Sequence, residues 1–428
     1  MTSKSDLHGR IDAVWRIEAP RIIGAVARLV RDVGLAEELA QDALVAALEH
    51  WPAGGIPDNP GAWLMATARN RALDTLRQKA LHLRKQQELG ADADARGDHV
   101  VPDFSDTLDE TNEVDDDLLR LMFTACHPVL ATDAQVALTL RLLGGLSTTE
   151  IARAFHLPEP TVAQRIVRAK RALSAARVAF EVPRGEALAP RLAAVLEVVY
   201  LIFNEGYAAT EGDDWMRPAL CDEALRLARV LAQLSPGESE VHGLVALLEI
   251  QSSRTRARID ATGRPILLLD QDRGRWDALL IARGLAALEK AAGTGSERGP
   301  YEMQAAIAAC HARARTAADT DWPQIVALYD ALAQRMPSPV IELNRAVAVG
   351  MAFGPAAALP LVDVLVAGQA LAGYHLLGAV RADLLVKLGR LEEARAEFER
   401  AATQTQNARE RELLLDRARA TVQSSRDR

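Results

Sequence analysis

The sequence has few aromatic residues, few cysteines and no long hydrophobic run. Aromatic residues make up 4% of its 428 residues, so a core must be built from alanine, leucine and valine. The three cysteines, Cys126, Cys221 and Cys310, are far apart and odd in number, which argues against a disulfide framework and predicts reduced thiols in a cytoplasmic protein. No uncharged apolar stretch is long enough to span a bilayer, and residues 1–20 carry charges where a signal peptide needs a hydrophobic stretch. We therefore expect no association with a membrane and no secretion.

The common motifs of catalysis and metal binding are missing as well. The sequence has no glycine-rich phosphate-binding loop, no His-Glu-x-x-His and no Cys-x-x-Cys. Cys126 and His127 are neighbours, but adjacent residues of a helix point about 100° apart and do not face each other. The sequence thus predicts a protein that is not an enzyme and that holds neither a metal nor a cofactor.

The composition favours helices, and the length favours more than one domain. Alanine, leucine, arginine and glutamate are abundant, whereas isoleucine, threonine and the aromatic residues are scarce. A chain of this length normally forms two or three domains. We therefore predict an all-α protein with several helical modules.

Charge divides the chain into parts. Residues 86–117 contain twelve acidic groups and a single basic one, Arg96, with few apolar residues. Like charges repel and little apolar surface is available for burial, so the segment is predicted to be a flexible acidic linker. The flanking residues 1–85 and 118–180 together carry 20 Lys and Arg against 13 Asp and Glu. The net charge of −8 therefore conceals two basic modules.

The second basic module contains the pattern of a helix-turn-helix. Ser147 can cap a short helix, with Glu150 three residues later as its partner in a capping box. A turn rich in proline follows, and Thr161 is predicted to cap a second helix that ends at about Ala176. The inner contacts are expected from Leu146, Ile151, Leu157, Val162 and Ile166. The second helix exposes polar and cationic groups suited to base edges and phosphates, namely Gln164, Arg165, Arg168, Lys170 and Arg171.

Three motifs in order resemble those of bacterial sigma factors of the extracytoplasmic-function (ECF) group. The stretch Ala36–Asp42 resembles the "AEDLVQD" sequence of sigma region 2. Residues 60–77, with Pro60, Trp63 and Asn70, resemble the "PxAWLxxIARNxxxDxLR" sequence of the same region. Residues 118–178 resemble sigma region 4. The resemblance covers the first 180 residues and places region 2 at residues 8–85 and region 4 at residues 118–180, joined by the acidic linker.

The resemblance implies a role for each motif. Region 2 of the family docks on the clamp of core RNA polymerase, here implying Glu37, Glu38, Gln41 and Asp42. It also reads the −10 element, where Asn70 matches the position that reads a flipped base, and Arg69, Arg71, Arg77 and Lys79 suit the strand backbone. Region 4 contacts the polymerase β flap and reads the −35 element, here implying Thr161, Gln164, Arg165, Arg168, Lys170 and Arg171.

Residues 181–428 exceed what a minimal factor of this group needs. Tyr374–Ala401 is similar to a tetratricopeptide repeat, with a turn at Leu388-Gly389-Arg390. A weaker similarity to the same repeat covers Trp322–Met336 and Ile341–Met351. We predict an α-solenoid-like domain with a concave binding face. Sigma factors with such an extension form a recognised subgroup, and the resemblance implies that the extension modulates the factor. We expect an intramolecular contact of the extension with the sigma modules.

One segment of this extension departs from helix and contains acids and arginines beside a tryptophan. Its residues are Asp270, Asp272, Arg273, Trp276 and Asp277. The spacing of Asp270 and Asp272 suits the start of a calcium loop, but the following ligands are missing. Two interpretations remain open: a regulatory loop that binds a ligand or the DNA-binding half, and a surface loop that caps the next helix. Phe203–Tyr207 has a similar polar composition and is also predicted to be a turn.

A second hypothesis for the whole chain is a dimeric helix-turn-helix transcription regulator whose solenoid senses a ligand. Residues 36–77 discriminate between the two, because such a regulator has no use for a polymerase-docking helix and a −10 motif. The first hypothesis predicts a promoter-specificity subunit that binds core RNA polymerase and promoter DNA.

Overall fold

A computed structural model of the chain describes residues 4–90, 110–295 and 297–426. Its described part contains eighteen α-helices and two strands of two residues each, so the all-α prediction is confirmed. The chain divides into two compact units, Met1–Arg153 with Leu157–Val198, and Val199–Arg428 with Ala154–His156. No helix in the described ranges is long and apolar enough to cross a membrane.

Seven helices and the beginning of an eighth make up the first unit. They are α1 Lys4–Val30, α2 Val33–Gly54, α3 Pro60–Gly90, α4 Glu110–Ala125, α5 Thr132–Leu142, α6 Thr148–Ala154, α7 Glu159–Ala175 and α8 Leu188–Tyr207. Asp32 accepts a hydrogen bond from the Leu35 amide and so begins α2, while Arg31 before it adopts a positive φ of 54°.

The helices of the first unit bury apolar residues where they pack against one another. α1 packs against α2, α3 and α4, whereas α7 packs against α5 and α2. Ile22 and Leu64 are fully buried, as is Leu138 of α5. At the contact of α1 with α4, a Cβ added to Gly24 would lie 3.2 Å from the Cβ of Asp117, so a larger residue would fit only if Asp117 moved slightly.

The acidic segment contributes helix at both of its ends. α3 continues through Gly90 and α4 begins at Glu110, so the ends of residues 86–117 are helical. Asp117 is buried beside Arg28 and Arg120, and these charges compensate its carboxylate. The expected flexibility of the middle of the linker concerns residues 91–109, which lie outside the described ranges.

Helix pairs make up the second unit, as the sequence predicts. They are α9 Pro218–Leu234, α10 Ser239–Ser253, α11 Ala278–Ala292, α12 Pro300–Arg313, α13 Trp322–Arg335, α14 Pro339–Phe353, α15 Pro355–Ala367, α16 His375–Lys387, α17 Leu391–Gln404 and α18 Ala408–Arg426. Five of them have proline in the first turn, where its missing N–H costs nothing. The predicted turn at Leu388–Arg390 is present, and Gly389 has a φ of +77° that favours glycine.

Most helices of the second unit pack mainly on their neighbours in sequence, and α12 packs mainly on α10, two helices earlier. Contacts between helices close in sequence are the pattern of a solenoid. However, the last part returns to the first: β1 Glu211–Gly212 pairs in parallel with β2 Gln406–Asn407. Asn407 is fully buried and its amide donates to the carbonyls of Ala209 (3.1 Å) and Asp214 (2.8 Å). Hydrogen bonds therefore connect the beginning of this unit to its last part.

One local expectation is wrong. Phe203–Tyr207 has the composition of a polar turn, but it forms the last turn of α8. Phe203 is fully buried, and the Glu205 carboxylate pairs with Arg217, so tertiary contacts compensate the polar groups that suggested a turn.

Candidate nucleic-acid interface

The helix-turn-helix begins with the predicted capping box. The Ser147 amide donates to Glu150 Oε2 (2.8 Å), and the Glu150 amide donates to Ser147 Oγ (3.1 Å). Burial raises the pKa of Glu150, but the hydrogen bonds from Ser147 and the charge of Arg16 outweigh burial and lower it overall. Ile151, Val162 and Ile166 are buried as predicted. The first turn of α6 is thus held by local hydrogen bonds and by its packing.

The second helix starts earlier than expected. α7 begins at Glu159 after Pro158, with no side-chain cap, so Thr161 is not the N-cap. Pro158 and Pro160 supply φ values compatible with a helix start, and this replaces the missing cap. Thr161 is instead an exposed residue of the first turn.

The candidate −35 residues separate into two groups on α7. Thr161, Gln164, Arg168 and Arg171 are exposed and follow the three- and four-residue spacing of a single helix face. We call these four residues the exposed stripe. Arg165 and Lys170 lie outside it, and both pair with carboxylates of the first unit. Arg165 is 2.9 Å from Asp133 of α5, and Lys170 pairs with Glu37 of α2.

Glu37 is one of the four residues implied in polymerase binding, and it is buried. Arg141 Nε donates to its Oε1 at 2.6 Å, Gln41 Nε2 donates to the same atom at 2.8 Å, and Lys170 pairs with Oε2. Burial raises the pKa of Glu37, but the charges of Lys170 and Arg141 outweigh burial and lower it overall. The structure therefore joins a candidate polymerase residue to a candidate DNA residue.

The other candidate polymerase residues of α2 differ in exposure. Glu38 and Asp42 are exposed and four residues apart, so they share a face of α2, while Gln41 is half-buried. Asp42 is also 3.3 Å from Arg71 of α3. Arg141, which holds Glu37, was missed by the sequence reasoning because it lies within the apolar helix α5 and in no recognisable motif.

The candidate −10 residues lie along α3. Asn70 is exposed, as are Arg77 and Lys79, whereas Arg69 and Arg71 are half-buried. Arg77 Nη1 lies 3.1 Å from Asp74 Oδ1 on the same helix. Leu64 packs in the core, and Trp63 makes an edge contact with Trp51 at 5.4 Å between ring centres. This arrangement leaves the Asn70 amide at the protein surface.

The segment from Asp270 to Asp277 contributes caps and buried groups. Asp272 accepts from the Gly274 amide (2.9 Å), and Asp277 caps α11 by accepting from the amides of Leu279 and Leu280. Asp270 is exposed, whereas Trp276 is buried. The capping interpretation of this loop is therefore confirmed for Asp277. Trp276 does not cap a helix, and its ring lies beside Arg254 and Arg273.

The three cysteines, Cys126, Cys221 and Cys310, are buried. Burial raises the pKa of the Cys126 thiol to about 12, and that of Cys221 to about 12. Within the described ranges no group of three His, Cys, Asp or Glu residues could hold a metal ion. The Cys126 sulfur instead lies 3.5 Å from the Thr139 hydroxyl in the core.

Three known families match parts of the chain. Sigma-70 region 2 matches residues 15–81, and Sigma-70 region 4 matches residues 120–173. A family of unknown function, DUF6596, matches residues 191–292. The two sigma regions coincide with the helices that carry the candidate −10 and −35 residues.

Individual relatives agree with these families. The chain is 45% identical over 403 residues to an uncharacterized protein of Rhizobium meliloti (strain 1021), covering 94% of this chain and 93% of that protein. It is 28% identical over 177 residues to a probable ECF RNA polymerase sigma factor SigI of Mycobacterium tuberculosis, covering 41% of this chain and 58% of the relative. It is also 28% identical over 157 residues to an ECF RNA polymerase sigma factor SigK of Mycobacterium ulcerans, covering 36% and 78%. No solved structure matches the chain significantly.

The match to region 2 decides between the two hypotheses. A ligand-sensing helix-turn-helix regulator would account for residues 120–173 but not for a region 2 match over residues 15–81. The regulator hypothesis is therefore not favoured. The chain belongs to the ECF sigma factors of the sigma-70 family and carries an additional helical domain after its two sigma modules.

Proposed function

We propose that this sigma factor directs core RNA polymerase, in the cytoplasm, to promoters that it selects through two DNA-binding surfaces. Sigma factors in general are initiation factors and not enzymes, and the family implies binding to core polymerase and promoter DNA. The finer assignment concerns which residues of this chain meet each partner. We assign the −35 element to α7, the −10 element to α3 and the polymerase clamp to α2.

The exposed stripe of α7 is the observation that carries the assignment. Its four side chains combine hydroxyl, amide and guanidinium groups on one accessible face, directly after a short helix and a tight turn. Guanidinium and amide groups can make bidentate contacts with guanine and adenine, whereas the threonine hydroxyl suits either bases or phosphate. We expect Gln164 and Arg168 to contact bases in the major groove.

The surface of α3 suits a single strand. Asn70 offers both a donor and an acceptor to one base edge. Arg77 and Lys79 add exposed cations that suit the strand backbone, within the same segment. We propose that Asn70 reads an unstacked −10 base while the cations hold the backbone.

Polymerase binding by Glu37 requires a change of partners. Its carboxylate is buried against Arg141 and Lys170, so neither Glu37 nor Lys170 is available to a partner in this arrangement. We propose that α7 separates from α2 when the factor binds polymerase. In the same step Lys170 is released for phosphate contact.

The β flap assignment rests on the family, and we propose it for the module of α4 to α7. We also propose that the second unit modulates transcription initiation by the factor.

The central experiment is run-off transcription with purified core RNA polymerase, the full chain and a library of promoter fragments. Specific initiation at fragments that share −35 and −10 sequences is the expected result. Absence of both initiation and core binding would contradict the proposal.

The same assay tests the exposed stripe. Arg168→Ala should lower −35-dependent initiation about tenfold, because one guanidinium contact to a base contributes about 1–3 kcal/mol. Arg184→Ala removes the same charge from an exposed residue outside the helix-turn-helix and should leave initiation unchanged. Equal output from the two variants would remove Arg168 from the interface.

A further inference from the structure

The second unit contains three arginines close to two aromatic rings. In sequence, they come more than 80 residues after the last residue that is assigned to DNA or polymerase. They are Arg254, Arg258 and Arg273, and we call them the arginine cluster. Arg254 and Arg258 are each more than nine-tenths buried. Within the described chain, none of the three forms a hydrogen bond or ion pair with a carboxylate. Burying a guanidinium is costly unless an anion compensates its charge, so these three arginines destabilise the unit unless an anion is bound near them.

Arg254 is the most isolated of the three. Its Nε is buried and has no hydrogen-bond partner. Its Cζ lies 5.8 Å from the ring centre of Tyr207 and 5.7 Å from that of Trp276, so two aromatic faces offset part of its charge. Aromatic rings accept no strong hydrogen bond, and the donors of this guanidinium therefore remain available to a ligand.

The other two arginines bond only to neutral acceptors. Arg273 donates to the carbonyl of Ala314 at 2.8 Å and to the hydroxyl of Thr320 at 3.1 Å, and also to the carbonyl of His311. Arg258 donates to the Tyr207 carbonyl, and its Cζ is 3.4 Å from the ring centre of that tyrosine. These contacts orient the side chains without neutralising them.

The carboxylates near the cluster are used elsewhere. Asp319 acts electrostatically on Arg273, but it is exposed and accepts hydrogen bonds from the amide and hydroxyl of Thr316. Asp277 caps α11. The positive charge of the cluster is therefore largely uncompensated.

Two further buried donors or acceptors in the same region have no partner. The Trp276 indole nitrogen is buried without an acceptor, and Arg254 and Arg273 both lie within 6 Å of its ring. His311 Nδ1 is likewise buried and unpartnered. Burial, followed by the charges of Arg254 and Arg273, lowers the pKa of His311 to about 4, so its ring is neutral near pH 7.

A cavity of about 780 Å³ adjoins this region, and Trp276 is the residue that both share. Its lining includes Met216, Pro218 and Ile259, which offer apolar surface, and Arg256 and Arg275, which add positive charge. Two carboxylates, Asp260 and Asp277, also line it. Asp260 accepts hydrogen bonds from the amides of Thr262 and Arg264, and Asp277 caps α11. The volume suits a small organic molecule.

We propose that Arg254, Arg273 and the Trp276 indole form a binding site for an oxyanion, a phosphate or a carboxylate group carried by a small molecule. The oxyanion accepts hydrogen bonds from the unpartnered Arg254 guanidinium and the indole N–H. The remainder of the molecule occupies the cavity beside Trp276. This inference goes beyond promoter recognition and requires neither polymerase nor DNA for its test.

Inorganic phosphate and succinate are the probes, one for each source of the oxyanion. Thermal unfolding of the full chain is measured in a buffer with neither anion, with sodium chloride holding ionic strength constant. The probe that the site accepts should raise the melting temperature of the second unit saturably, by about 3 °C or more at concentrations well above Kd. A rise with phosphate alone identifies a phosphate-bearing ligand, and a rise with succinate alone identifies a carboxylate-bearing one.

Variants locate the effect. Arg254→Met keeps most of the side-chain volume and should abolish the anion-dependent rise, whereas Arg254→Lys should weaken apparent binding at least tenfold because it loses the guanidinium fork. Arg283→Met removes the same charge from an exposed residue of α11 and should leave the rise intact.

A second measurement is independent of how well the variants fold. The indole N–H resonance of Trp276, assigned by comparison with Trp276→Phe, should shift during titration of the unmodified chain with the effective probe. The proposal is overturned if neither anion exceeds the effect of chloride, if the rise persists in Arg254→Met, or if the Trp276 resonance does not move.

Discussion

At the scale of single residues, Glu37 and Lys170 neutralise each other across two helices of the first unit. Sequence motifs assign one to polymerase and the other to DNA, yet the structure pairs them, with Arg141 as a second cation. A buried carboxylate without these partners would pay the full cost of desolvation. The pair therefore stabilises an arrangement in which α2 and α7 lie together.

This pairing predicts the effect of Lys170→Gln on polymerase binding. The variant weakens the contact of α7 with α2 but leaves Glu37 paired with Arg141, so α2 becomes more accessible. We expect the Kd for core RNA polymerase, measured without DNA, to fall about three- to tenfold, since a shift of a two-state equilibrium appears directly in the apparent affinity. Arg171→Gln removes the same charge from the exposed stripe and serves as the control. Equal affinities of the two variants would show that the pair does not limit access.

At the scale of elements, α6 depends on its capping box. It has seven residues, Thr148–Ala154, and is too short to be stable through its own backbone hydrogen bonds. Reciprocal hydrogen bonds between Ser147 and Glu150 satisfy two amides at its start. The cap thereby fixes where the helix-turn-helix begins.

Ser147→Ala should lower the free energy of unfolding of the first unit by about 1 kcal/mol, because the cap is lost. Urea denaturation and hydrogen exchange of α6 measure the effect, with Thr148→Ala as the neighbouring control. The pKa of Glu150 is lowered in the folded state, so its contribution is complete above its ordinary value of 4.5 and is lost as the pH falls through the lower folded value. The difference between Ser147→Ala and the unmodified chain should consequently shrink in acid. A difference independent of pH would contradict the role given to Glu150.

At the scale of the whole molecule, the second unit is held together by hydrogen bonds between residues that are far apart in sequence. In the second unit, the Asn407 amide donates to Ala209 and Asp214 and accepts from the amides of Arg409 and Glu410. All hydrogen-bonding groups of this side chain are thereby used. A helical array tied in this way resists the fraying from its ends that an open solenoid permits.

Asn407→Leu should lower the free energy of unfolding of the second unit by about 2–4 kcal/mol, since two carbonyls and two amides lose their partner. Denaturation with hydrogen exchange read at residues 209–214 and at α18 localises the loss. Gln406→Leu changes the exposed neighbour and should have little effect. Equal stability of both variants would show that the return of the chain is not held by Asn407.

Removal of the second unit tests whether it modulates transcription. The first unit extends to Val198, and Arg191 of α8 donates to the Phe123 carbonyl at 2.6 Å, so a shortened chain should retain residues 1–198. We expect run-off yield from a cognate promoter to differ between the shortened and the full chain. Equal transcript yields from the shortened and the full chain, at equal protein concentration, would show that the second unit has no effect on initiation.

Much of this architecture follows from patterns that extend over only a few residues. The Ser147–Glu150 box, the turn at Leu388–Arg390 and the helices around them were predicted because caps, glycine and apolar periodicity act within one or two turns. Phe203–Tyr207 and the start of α7 were misassigned. In the first case tertiary packing compensated the polar groups, and in the second proline replaced the expected cap.

The motifs of regions 2 and 4 are likewise local, so the family could be identified from the order of residues alone. The pairing of Glu37 with Arg141 and Lys170, the return of Asn407 to Ala209 and the convergence of Arg254, Arg273 and Trp276 have no such local signature. Their partners are tens to hundreds of residues apart, and their energies depend on burial, which raises the cost of each charge and the value of each hydrogen bond. Folding brings these groups together, and burial determines which of them remain accessible to a binding partner.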